Sequence, residues 1–277
     1  MGAGLISLGA IGPVPGRKIL PMGREKPIRQ PMDRPPLPRR RELVEPKSRS
    51  LDSSPSPGVV FVRSGGFSPF IYRKRVDRIQ GNPEPGDIVA IKLPDGTTIG
   101  HGLFNPQAEL VVRLLSEGPE PPSESFWRAK LERAVSLRRD WLKLDDPAGA
   151  CRLIHAEGDG LSGLAIDRFA SVLSIEAFSL GMYERAPAIA DLLGPMVGTT
   201  SWVIQGGPRS DVLEGFAGDP IILGGTPRMV EIREEGTRFR VPFVGGHKTG
   251  FFCDQRDNRL KLAGYCENKR VLDVCCY

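Results

Sequence analysis

From Val59 onward the apolar residues arrive in short runs separated by turn residues. Val59-Val60-Phe61-Val62 opens the series. Ile88 to Leu93 and Ile99 to Phe104 flank Pro94-Asp95-Gly96-Thr97, a hairpin signal, and Leu110 to Leu115 is a further run. Short strands joined by tight turns predict a small β-barrel over residues 58–120. The period then changes. After Pro121-Pro122-Ser123, residues Trp127, Leu131, Ala134 or Val135, and Trp141 or Leu142 recur on one face, which predicts a helix capped by Ser123 and running to about Leu144. Arg128, Arg133, Arg138 and Arg139 fall largely off that face, where such charges solubilise a helix or line a cleft for RNA. This connecting element occupies residues 121–150 and closes at Asp145-Asp146-Pro147-Ala148-Gly149.

A second unit, α+β in pattern, spans residues 151–244. Arg152 to Phe169 reads as strand, glycine-rich turn, strand, with Val172 to Phe178 pairing next. Tyr183 to Leu193 is helical, and Trp202 to Gln205 and Phe239 to Val244 are strands. The turn Gly158-Asp159-Gly160-Leu161-Ser162-Gly163 is no phosphate loop, because it lacks a Lys-Ser/Thr ending and opens a strand. Residues 245–277 read as loop, helix, strand. Asp254 is the expected helix cap, Gln255 to Tyr265 the helix, and Val271-Leu272-Asp273-Val274-Cys275-Cys276 a buried first strand of a doubly wound sheet. Such a strand runs into a glycine-rich turn at its carboxyl end, and Tyr277 stands where that turn would begin. The fold class is therefore mixed: a β-barrel, a central α+β domain and the start of a Rossmann-like α/β domain.

The 277 residues, 40% of them hydrophobic, suit two domains with sizeable cores. The net charge of +5 is uneven: residues 1–57 hold 11 Lys/Arg against 5 Asp/Glu, leaving 27 against 28 in the rest. The folded part is not globally basic, so RNA contacts there need local patches. Residues 1–57, rich in Pro, Arg and Ser, predict a disordered tail, either non-specifically basic or an arm adding phosphate contacts. Arg73-Lys74-Arg75 with Arg78 is the densest basic cluster outside it, either a solvated face or a phosphate-contacting patch. Five cysteines, unspaced and odd in number, with three histidines, predict no metal site and a reducing, cytoplasmic setting. No apolar run is long enough to span a bilayer, and the mildly apolar stretch Gly4 to Ile11 lacks the basic leader of a signal peptide.

One family shares an unusual series of these residues. Gly246-His247-Lys248-Thr249-Gly250-Phe251-Phe252, then Asp254-Gln255-Arg256-Asp257-Asn258-Arg259, then Glu267 to Asp273, resemble bacterial class I S-adenosylmethionine-dependent ribosomal RNA methyltransferases with an N-terminal PUA domain. These enzymes make 5-methylcytosine in large-subunit RNA. Pro69-Phe70-Ile71-Tyr72 with Gly86-Asp87 is similar to the family's PUA segment, and the 151–169 stretch to its central segment. Gly206 to Thr226 departs from the pattern. The resemblance covers the chain from about Gly58 and implies a methyltransferase domain truncated at its first strand.

The sulfonium of S-adenosylmethionine is already activated, so such an enzyme mainly positions it. By the resemblance, the Lys248 to Arg259 segment lies beside the cofactor. The implied binding set is Lys248, Thr249, Gly250, Gln255, Arg256, Arg259, Asp273 and Tyr277. Asp273 suits the methionine amine; Lys248 and Arg256 or Arg259 suit its carboxylate. A helix-surface ion pair is the other reading of Asp257 and Arg259, and His247 reads as structural. Cytosine C5 is a poor nucleophile, activated in this class by a cysteine thiolate at C6. The family's cysteine and Asp-Pro-Pro motif lie downstream of the first strand, and Cys253, Cys266, Cys275 and Cys276 do not match it, so no catalytic residue is assigned. The chain is thus expected to be either a fragment of an RNA cytosine-5 methyltransferase without activity of its own, or a non-catalytic RNA-binding module.

Overall fold

The computed structural model describes residues 43–52, 58–66, 68–223, 225–243, 249–272 and 274. Its first sheet is built from β1 (Gly58–Val62), β2 (Phe70–Tyr72), β3 (Val76–Gly81), β4 (Ile88–Lys92), β5 (Thr98–Phe104) and β6 (Leu110–Glu117), in the order β2-β6-β5-β4-β1-β3. All pairs are antiparallel except β1–β4. The two edge strands, β2 and β3, are joined only by the 3₁₀ turn Arg73–Arg75. Laid flat, edges five strand spacings apart would be about 24 Å distant. Three residues reach about 10 Å. The sheet must therefore curl until its edges approach, giving a half-barrel around Val60, Val62, Ile71, Val89, Ile91, Phe104, Val111 and Val112. Gly100 and Gly102 permit the tight β5–β6 approach, since a Cβ at either would lie within 2.4 Å of a β6 carbonyl oxygen.

The second sheet takes β7 (Ala150–His155), β8 (Leu164–Phe169), β9 (Val172–Ala177), β10 (Ser201–Gly206) and β11 (Ile221–Ile222) in the order β11-β10-β9-β8-β7. Helix α1 (Glu124–Ser136) precedes it in the chain, and α2 (Leu180–Val197) makes the crossover between β9 and the parallel β10. Ser179 caps α2 by accepting the Met182 N–H, and Gly198, at φ 69°, ends it. On this side Trp127 and Leu131 of α1 share one core with Leu164, Ile166 and Ile175 of the sheet and Tyr183, Ile189 and Leu193 of α2. After the short helix α3 (Ser210–Leu213), β12 (Met229–Glu234) and β13 (Thr237–Pro242) form a hairpin. It covers the opposite face of the second sheet, with Ile232, Val241 and Phe243 against Phe169, Val172 and Val203. Every residue of β8 and β9 is consequently buried. Helix α4 (Arg256–Cys266) comes last.

Four expectations need correction. First, residues 43–52 of the predicted disordered tail are held in place; residues 1–42 and 53–57 lie outside the described set. Val44 N–H donates to the Gly215 carbonyl, Arg49 N–H to the Glu184 carbonyl, and Leu51 joins the main core. Arg49 pairs with both Asp87 and Glu184, at 2.5 Å each. Partners from three distant segments thus offset the ordering entropy that composition alone could not. Second, the helix from Ser123 does not stay regular to Leu144. It passes into a π-helical turn at Leu137–Trp141, which leaves Trp141 82% exposed and buries Arg138. Ser123 starts α1 without a side-chain cap, its Oγ meeting that of Ser125 instead. Third, α4 begins at Arg256 after a 3₁₀ turn, and Asp254 does not cap it; its carboxylate accepts from Gln255. Fourth, Val271, Leu272 and Val274 form no strand and are 61%, 85% and 72% exposed. A parallel strand needs neighbours for its backbone groups, and none of the described strands pairs with them. Asp273 and Cys275 to Tyr277 lie outside the described residues.

Candidate functional site

The predicted RNA cluster sits where the half-barrel's edges meet. Arg73 donates to the carbonyls of Pro106 and Ala108 and stands 4.0 Å from Glu109. Arg75 donates to the carbonyls of Phe70 and Ser64, stitching β2 to the loop after β1. Arg78 lies 3.7 Å from the Phe61 ring centroid and 3.2 Å from Asp77. Lys74 is exposed. The guanidinium groups of Arg73 and Arg75 therefore do structural duty. Carbonyl acceptors are neutral, however, so these bonds orient the cations without cancelling their charge.

The described members of the predicted cofactor set are brought together against the central domain. Thr249 is 2% exposed. Its hydroxyl donates to Asp167 Oδ2 and its carbonyl accepts from Ser174 Oγ, at 2.7 Å. Asp167, fully buried, also receives Arg152 through two bonds of 2.5 and 2.9 Å. Gly250 has φ 121°, a conformation open to glycine, and a Cβ there would meet Val241 at 2.9 Å. Arg256 donates to the Ala150 carbonyl and lies 3.7 Å from Glu234. Arg259 forks onto Glu234 at 2.6 to 2.9 Å, donates to the Phe252 carbonyl, and stacks 4.4 Å over Phe251. Gln255 accepts from Asn258 at 2.8 Å. Lys248, Asp273 and Tyr277, with His247, lie outside the described residues. Among the described residues, then, Thr249, Arg256 and Arg259 are turned to internal partners.

Glu234 is the partner that residue patterning passed over, although a signal was present. On β12 it shares the inward face with Val230 and Ile232, and a carboxylate on an apolar strand face needs a cation to meet it. The predicted ion pair of Arg259 with Asp257 is replaced by this one. Cys253, just before α4, has its thiol pushed up by burial, with Asp167 adding to the shift. Burial likewise raises the Cys151 thiol. Neither is poised as a thiolate nucleophile.

A cleft of about 740 Å³ separates β6 from α1, lined among others by Ser116, Glu117, Glu120, Phe126, Lys130 and Glu157. Lys130 and Gly160 also line a second pocket, of about 360 Å³, beside Trp141. Among the described residues no group of three or more His, Cys, Asp or Glu could hold a metal ion, and no helix is long and apolar enough to cross a membrane.

Residues 65–117 match the PUA-like domain family. The Photobacterium profundum protein named ribosomal RNA large subunit methyltransferase I is 36% identical over 217 residues, which are 76% of this chain and 53% of that protein. The Vibrio vulnificus protein of the same name is 33% identical over 215 residues, again 76% of this chain and 53% of its own length. A Streptococcus mutans structure assigned as a SAM-dependent methyltransferase superposes with a TM-score of 0.54 at 18% identity, covering 74% of this chain and 53% of its own. A second structure, a methyltransferase by assignment and crystallised with SAH, gives 0.52 at 17% identity over 74% and 52%. At such identities the structures speak for the fold. The chain spans about half the length of these relatives.

Proposed function

We propose that this chain is the RNA-recognition part of an S-adenosylmethionine-dependent ribosomal RNA methyltransferase, directed at cytosine C5 in the large-subunit RNA of the cytoplasm. The observation that carries this is the 36% identity over 217 residues to a protein named ribosomal RNA large subunit methyltransferase I, with a PUA-like match at residues 65–117. In this reading residues 58–120 grip RNA through Arg73, Lys74, Arg75 and Arg78. The 151–244 domain holds the 245–277 segment through Asp167 and Glu234, so that Lys248, Thr249, Gly250, Gln255, Arg256, Arg259, Asp273 and Tyr277 border the cofactor. The geometry around α4 favours a companion reading: the 277-residue polypeptide is an RNA-binding module without methyl transfer of its own, since the candidate cofactor residues Thr249, Arg256 and Arg259 are satisfied internally.

The test is one incubation with two readouts, using labelled S-adenosylmethionine and unmodified large-subunit RNA. Filter retention should show RNA binding that weakens as salt rises, each phosphate contact contributing about 0.7 to 0.9 to the log–log slope. No label should enter the RNA. Retention no better than that of an unrelated protein of equal charge defeats the RNA-recognition reading. Label above a no-protein control defeats the companion reading alone.

A further inference from the structure

Trp141 stands 82% exposed, which is unusual for the largest side chain. The helix could have buried it. Trp127 is fully buried on α1, and the fourteen residues from there to Trp141 are close to four whole turns at 3.6 residues each. A regular helix would bring Trp141 back to the same face. Instead the Leu142 N–H reaches the Leu137 carbonyl at 3.0 Å, a π-helical turn that absorbs one extra residue and rotates the positions after it by about 100°. The turn is held by Arg138. Its guanidinium forks onto Asp159 at 2.5 and 2.9 Å and donates to the Arg152 carbonyl at 3.0 Å. Two buried-side anchors thus fix a tryptophan outward, on a rigid element.

The indole borders a pocket of about 360 Å³ whose wall also includes Lys130, Arg133, Leu137, Asp159 and Gly160. The one acid among these is neutralised by Arg138. Among the described residues neither Lys130 nor Arg133 makes an ion pair. Lys130 Nζ lies so close over Gly160 that a Cβ there would stand 2.7 Å from it. The pocket therefore offers an exposed aromatic face beside two cations that have no ion-pair partner among the described residues, Lys130 also lying 5.4 Å from the Phe126 ring centroid. A base on the indole and phosphates on the cations would match it, and stacking of this kind tolerates any base but needs it unpaired. The larger cleft beyond Lys130 carries Glu117, Glu120 and Glu157, which places phosphates at the Trp141 end.

We propose that Trp141, with Lys130 and Arg133, is a stacking site for an unpaired nucleotide of single-stranded RNA, separate from the Arg73–Arg78 patch. It rests on the RNA-binding reading above and adds where and in what form the strand is held.

The test titrates the full 277-residue chain with a fluorescein-labelled twelve-residue oligouridine and with an RNA duplex of equal length. Trp141→Ala should weaken oligouridine binding about tenfold and Trp141→Phe should restore most of it, with duplex binding little changed. Lys130→Met with Arg133→Met should flatten the oligouridine salt slope by about 1.4. Trp141 is exposed, so thermal melts of its variants should match the parent. Oligouridine binding untouched by Trp141→Ala overturns the stacking site and leaves the RNA reading standing. Failure of the parent chain to bind either RNA overturns both. Self-association of the parent that Trp141→Ala abolishes, without an effect on oligouridine, assigns the face to a protein contact and overturns the proposal.

Discussion

Glu184 lies on α2 with its side chain 1% exposed, and two groups of the 43–52 segment depend on its carboxylate. Its carboxylate accepts Arg49 Nε at 2.5 Å and the Lys47 N–H at 2.9 Å. Beside it, Arg185 is held down to about 10, first by burial and then by Arg49, with Glu184 and Asp87 opposing. Glu184→Gln keeps the shape and removes the charge. It should weaken a charge-assisted bond and leave two partly buried guanidinium groups with Asp87 alone, costing about 2 kcal/mol. The check is a fall in Tm together with faster amide exchange at Arg49. An unchanged Tm would show that the 43–52 strap is held by its backbone bonds and Leu51.

The β12–β13 hairpin is the element that lets a five-stranded sheet be buried on both faces, so its closure matters beyond its length. Glu234 pairs with Thr237, leaving Glu235 and Gly236 as a two-residue turn with φ 47° and 83°. Two positive φ values in succession make the turn type whose twist suits paired strands. No atom lies within 4 Å of a Cβ built on Gly236, so substitution there tests conformation alone. Gly236→Val should lower stability by about 1 to 2 kcal/mol. Glu235→Asn, better suited to that region, should raise it by a few tenths of that. Denaturant midpoints of the two variants moving in the same direction would contradict this account of the turn.

Across the whole molecule, apolar surface is left uncovered at one end. Leu260, Leu262 and Tyr265 of α4 are 54%, 61% and 78% exposed, and Val271 and Leu272 continue the stretch. Leu262 and Tyr265, three residues apart, share one face of the helix, and an exposed apolar face of this kind favours association. The chain is expected to self-associate through it, with mass by light scattering rising with concentration. Leu262→Asp with Leu272→Asp should return it to a monomer, because neither side chain is part of a described core cluster. Monomeric behaviour of the parent at every concentration would show the face to be harmless in solution.

Local period and turn chemistry are the parts of this protein that its residues determined unaided. The β4–β5 hairpin is set by Pro94 to Thr97, where Asp95 accepts the Thr97 N–H, and the buried face of α1 by Trp127, Leu131, Ala134 and Val135. The helix α2 and the strands β7 to β10 were legible for the same reason. The Arg73–Arg78 cluster was legible as charge and the proposed cofactor set only as a resemblance, and neither carries its partners in the sequence. Tertiary structure alone decided that Arg256 and Arg259 turn to Glu234, that Thr249 closes onto Asp167, and that Arg49 ties its segment to α2. It also decided the outward turn of Trp141, because Arg138 finds Asp159 twenty-one residues away. The physical reason is common to all of these. A buried charge must meet its opposite, and which opposite comes within reach is settled by how the elements pack, at separations that no local pattern spans.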